Sequence, residues 1–106
     1  MKNLFATLIA LFLINFTLNA ADDHIVYAPK DGPGKGKHIV FLCGDEEYRG
    51  EEGLPMMAKI LSQRHGFKCT VLFSLNDKGE IDPNNQKSLS NPEALDSADA
   101  IVMLLR

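Results

Sequence analysis

The densest chemistry in this chain of 106 residues lies in one hexapeptide, Gly44-Asp45-Glu46-Glu47-Tyr48-Arg49. Three consecutive carboxylates, a phenol and a guanidinium supply groups for acid/base work, for metal coordination, or for hydrogen bonds to sugar hydroxyls. Two further carboxylates, Glu51 and Glu52, follow at once. A dianionic phosphate meets strong repulsion here, which demotes flavin mononucleotide and nucleotides as ligands and leaves a neutral polyol or a divalent cation compatible. The competing reading makes these carboxylates a solvated loop whose acids favour the N-terminus of the helix that follows.

Other reactive residues have weaker contexts. Cys43 directly precedes the loop, but a thiol nucleophile needs an activating base and no histidine partner for it is evident, so a buried structural cysteine is expected. His38 opens an apolar run and His65 closes a helical one, where its positive form suits the helix dipole. His24 stands alone in a polar arm, a weak metal signal. Gly34-Lys35-Gly36-Lys37 has the look of a phosphate loop, but it precedes a strand where such a loop follows one. A calcium loop centred on Gly79 and Ile81 would need Ser74, Lys78 and Asn85 as ligands, so a glycine turn is the better reading.

The elements that must carry these groups follow from hydrophobic patterning. His38 to Cys43 is a nearly continuous apolar run, the pattern of a strand buried on both faces. Over Glu51 to His65, Leu54, Met57, Ala58 and Leu61 mark the buried face of a helix, with Gly66 as its stop. Pro55 loses no hydrogen bond if that helix starts at Glu52 or later. Phe67 to Phe73 is a second strand, Ser74 to Ser90 a long polar loop, and Asn91 an N-cap for a short helix with Pro92 at its first position. Ala100 to Leu105 is a third strand.

This alternation predicts an α/β fold: a parallel sheet of three strands in the order 2-1-3, with right-handed crossovers and two helices. Ligands in such sheets sit beyond the carboxyl ends of the strands, where strand order reverses. The candidate binding residues are therefore Gly44, Asp45, Glu46, Tyr48, Arg49 and Arg106. Asp45 and Glu46 would act as acceptors or acid/base groups, Tyr48 would stack on or hydrogen-bond a sugar, and Arg49 and Arg106 would donate to substrate oxygens. A divalent-metal site at Asp45 and Glu46 is a weaker alternative, and neither a metal nor a cofactor is assigned. Three parallel strands alone leave faces and edges uncovered, so residues 37–106 are expected to be part of a larger domain.

Composition bounds the partners and the compartment. The net charge is −3 with no basic cluster, which argues against nucleic acid and anionic membrane surfaces. Met1 and Lys2, the apolar run Leu4 to Leu18 and the small residues Ala20 and Ala21 form the three parts of a secretory signal peptide over residues 1–20. The apolar run is shorter than the roughly 20 residues that span a bilayer, so cleavage is favoured over a lasting membrane anchor, and the protein is read as exported, periplasmic or secreted. Residues 21–36, with Pro29, Gly32, Pro33, Gly34 and Gly36, read as a flexible linker. The roughly 70 residues from Lys37 onward form a core that is marginal at that size. Cys43 and Cys69 fall at opposite ends of neighbouring parallel strands, about 13 Å apart. That exceeds the roughly 7 Å limit for a disulfide, so two free, buried thiols are expected.

Gly44-Asp45-Glu46-Glu47-Tyr48-Arg49, then Glu51-Glu52-Gly53-Leu54-Pro55-Met56 and Gly79-Glu80-Ile81-Asp82-Pro83, resemble the ThuA-like family, named for trehalose utilisation. The resemblance covers most of residues 37–106. It implies a three-layer, flavodoxin-like sheet of the class I glutamine amidotransferase-like kind, present here as its N-terminal portion, and a carbohydrate-linked role with a sugar or glycoside as the small-molecule partner. It does not imply amidotransferase chemistry, and Cys43 is not the counterpart of that superfamily's catalytic cysteine. The alternative is a non-catalytic binding or interaction domain on the same fold. Neither a reaction nor an oligomeric state follows from the residues.

Overall fold

The structure, a computed structural model, describes residues 23–106. The signal peptide expected over residues 1–20 lies outside the described residues, as do Ala21 and Asp22. Four strands, β1 (His24–Tyr27), β2 (His38–Gly44), β3 (Lys68–Phe73) and β4 (Ala100–Leu105), form one sheet in the order β1-β3-β2-β4. The helix α1 (Gly50–His65) joins β2 to β3, and a 3₁₀ turn, Pro92–Ser97, precedes β4.

β2 is parallel to both neighbours, with Cys43 beside Phe73 of β3 and beside Leu104 of β4. Its run of buried residues has a direct cause, since both of its faces are covered. Ile39, Phe41 and Cys43 pack with Cys69, Val71 and Phe73 against Leu54 and Ala58 of α1. Val40 and Leu42, with Leu72, lie under Leu89, Ala94, Leu95 and Ala98. The two thiols are free and buried, four strand positions apart as the register requires.

The expected three-stranded parallel sheet is corrected to a four-stranded mixed one. The three parallel strands keep their order within it, and β1 adds to β3 antiparallel, with Ile25 opposite Val71 and Tyr27 opposite Cys69. β1 lies in the segment read as a flexible linker. Ile25 and Tyr27 pack on the core while Val26 between them is exposed, the alternation of an edge strand. The chain beyond β1 is also held, because Lys30 N–H donates to the Ser62 carbonyl and Gly34 N–H to the His65 carbonyl at the end of α1. Gly66, the helix stop, has φ +78, and a Cβ there would come within 2.7 Å of the Gly32 nitrogen. No other residue type fits this left-handed contact between backbones.

Two helical expectations also change. α1 begins at Gly50, so Pro55 lies past the first turn and the Glu51 carbonyl faces a ring without an N–H. The first turn closes on the Arg49 carbonyl, which accepts from Glu52 and Gly53, and this draws the start forward. The short second helix is 3₁₀, and Asn91, left-handed at φ 41, makes no side-chain cap. Six residues between a buried loop end and β4 leave room for little more than one tight turn. Within Ser74 to Ser90, Asn76 accepts from the Lys78 and Glu80 backbones and Gly79 has φ +78, which is the glycine turn expected there.

Candidate functional site

The sheet reverses its strand order between β2 and β4, because the chain leaves β2 for β3 on one side and returns to β4 on the other. A cleft of about 220 Å³ opens at the carboxyl ends of these strands. Leu42, Leu89 and Leu105 give it an apolar floor, and Ser74, Gln86, Ser88 and Arg106 give it polar groups. Pockets for drug-sized ligands run from about 300 Å³ upward, so this one suits a single small molecule.

Of the six candidates, Gly44 and Arg106 line this cleft. They are adjacent, with Arg106 N–H donating to the Gly44 carbonyl at 3.3 Å as the β2–β4 ladder runs out. Glu46 reaches the cleft mouth through Arg106, its Oε1 lying 3.3 Å from the guanidinium Nη1, and Glu47 pairs with the same Nη1. These contacts join residues about sixty positions apart, from the end of β2 to the end of β4.

The other three candidates are elsewhere. Asp45 is buried, at 3% exposure, and its Oδ1 accepts from the Glu47 and Tyr48 backbones at 2.7 and 3.2 Å. Its carboxylate builds the turn that redirects the chain from β2 into α1, as aspartates do in such turns. Tyr48 is 69% exposed. Arg49, with its backbone left-handed at φ 55, turns away to Glu52, 2.7 Å from Nη2 to Oε1. The acidic loop is thus divided: one carboxylate inward, two on Arg106, and a solvated arginine and tyrosine.

Glu51 departs from the solvated-helix reading. One of its oxygens is buried with no hydrogen-bond partner among the described residues. Cys43, whose Sγ donates to the Gly50 carbonyl at 3.6 Å, has its thiol pushed up to about 12, mainly by burial and secondarily by the negative charge of Glu51. Burial alone pushes Cys69 up to about 11. Neither thiol is a nucleophile at neutral pH, since the thiolate is the reactive form. His38 is tied into the fold, with Nε2 2.8 Å from Thr70 Oγ1 and Nδ1 2.9 Å from Ser97 Oγ. No group of three or more potential metal ligands exists among the described residues.

The residue that sequence reasoning passed over is Ser74. It is 7% exposed and lines the cleft, and its Oγ, in no hydrogen bond among the described residues, keeps contact with solvent there. That oxygen is directed toward Gly44, 3.7 Å from where a Cβ on that glycine would stand. Ser88 Oγ accepts from the Leu75 backbone, which leaves its own proton free to donate. The signal was available, since Ser74 ends the apolar run of β3 and occupies the carboxyl-end position that had drawn attention to Cys43–Arg49. Among the described residues no helix is long and apolar enough to cross a membrane. No protein-family model, curated protein or solved structure matches the chain.

Proposed function

We propose that this α/β domain binds a small carbohydrate-type ligand in the cleft at the carboxyl ends of β2, β3 and β4, in the manner the ThuA-like resemblance implies, on a flavodoxin-like sheet. The observation that carries the reading is the Ser74 hydroxyl, which lines the cleft above an apolar floor and makes no hydrogen bond among the described residues. A polyol offers hydroxyls to such a group and to Ser88 and Gln86, and a C–H face to the leucines.

Calorimetric titration of the protein with a panel of neutral monosaccharides and disaccharides tests this. The expected result is saturable heat with at least one of them, weakened about tenfold in Ser74→Ala, the loss of roughly one hydrogen bond. Urea unfolding of that variant should match the parent, because Ser74 Oγ holds no protein group in place. Silence across the panel would instead favour a non-catalytic interaction domain, a reading supported by Ile101, Met103 and Leu105, exposed along β4.

Export is proposed on the signal-like residues Met1–Ala20 alone. Expressed in a secreting host, the protein should be recovered outside the cytoplasm with an intact mass lacking the residues through Ala20 or Ala21. A retained N-terminus on the exported protein would contradict cleavage.

A further inference from the structure

Among the described residues that line the cleft the one cation is Arg106, and it is already engaged. Its guanidinium pairs with both Glu46 and Glu47, whose carboxylates reach it from the loop after β2. An unengaged arginine at the mouth of a cleft would grip a carboxylate or phosphate with two parallel hydrogen bonds. Here an anionic ligand would have to displace two resident carboxylates and then lie beside them, because the trio carries one negative charge in excess. A neutral ligand displaces nothing. An uncharged group, the hydroxyl of Ser74, lines the same cleft and makes no hydrogen bond among the described residues.

We propose that Glu46 and Glu47 are specificity-determining residues: by holding Arg106 they make the cleft select an uncharged polyol over its anionic counterpart. The inference rests on the carbohydrate reading above and adds to it the charge class of the ligand. It also changes the role of Arg106, which becomes a latched group at the mouth and not a donor to substrate oxygens. Exposed ion pairs are individually weak. The selection therefore comes chiefly from the excess negative charge that stands at the mouth whether or not the latch is closed at a given instant.

The test is titration of the wild type and of Glu46→Gln/Glu47→Gln with matched pairs, glucose with glucuronate and galactose with galacturonate. In the wild type the neutral member should bind at least tenfold more tightly. In the double variant the uronate should gain tenfold or more while the neutral sugar changes less than threefold. Arg106→Gln supplies an independent arm, expected to keep neutral-sugar affinity within threefold. The proposal is overturned by a wild type that prefers the uronate, by an unchanged ratio in the double variant, or by a tenfold loss of neutral binding in Arg106→Gln. In each of those outcomes sugar binding itself persists, so the carbohydrate reading stands. Absence of heat with all four sugars in all three proteins overturns both.

Discussion

Phe41→Ala is expected to leave the domain largely unfolded at room temperature. Phe41 has no exposed surface and sits at the middle of β2, the strand with a parallel partner on each side. Removing a buried phenylalanine side chain costs about 3–5 kcal/mol in lost burial and residual cavity. A domain has only about 5–15 kcal/mol in total, and one this small lies toward the low end. Ile101→Ala is the matched comparison: an apolar side chain on β4 that is 49% exposed, expected to cost less than about 1 kcal/mol. Urea unfolding followed by circular dichroism checks both. Similar midpoints for the two variants would mean that β2 is not the centre of the core.

Stability is also expected to fall at alkaline pH, with Cys43 as one of the contributors. In the unfolded chain a thiol ionises near its ordinary value of 9.0, whereas in the fold Cys43 stays neutral to about 12 and Cys69 to about 11. Both folded values are raised, so the stabilisation is fully present below pH 9. As pH rises above 9 the unfolded chain loses protons that the native state retains, and stability declines through pH 11 for Cys69 and pH 12 for Cys43. Each thiol adds a slope of up to about 1.4 kcal/mol per pH unit in that window. Lysines and tyrosines titrate there too, so the measurement is a difference: unfolding free energies of wild type and Cys43→Ala from pH 8 to 11. The variant should have the shallower decline. Parallel curves would place the thiolate of Cys43 in contact with water.

The core elements were legible because each carries a local signature. The continuous apolar run of β2 reflects cover on both faces, and the Leu54, Ala58 and Leu61 spacing of α1 reflects a single buried stripe, from which Met57, expected on it, departs at 46% exposure. Gly66 was legible as a stop for the same kind of reason, since a left-handed residue at a helix end is a local need. β1 was not read. Its four residues, His-Ile-Val-Tyr, have strand character, but a strand that short gains definition only from pairing with β3, forty-five or so positions later.

The site divides along the same line. That the chemistry would gather at the carboxyl end of β2 follows from strand order, and Gly44 and Arg106 do line the cleft there. Which carboxylate faces which way does not follow, because Asp45, Glu46 and Glu47 are chemically alike and adjacent. Their roles separate only when Asp45 turns inward onto two backbone amides and Arg106 arrives from β4 to meet the other two.

By itself, then, the sequence determined an α/β chain with β2 at its centre, two thiols too far apart to bridge, and an acidic loop after β2. All of these rest on the periodicity and composition of short segments, which physics reads locally. Tertiary structure decided the added strand, the inward Asp45, the pairing of Arg106 with Glu46 and Glu47, and the place of Ser74 in the cleft. Each of these depends on contacts between segments far apart in the chain, whose geometry exists only once loop closure has been overcome and the strands are in register.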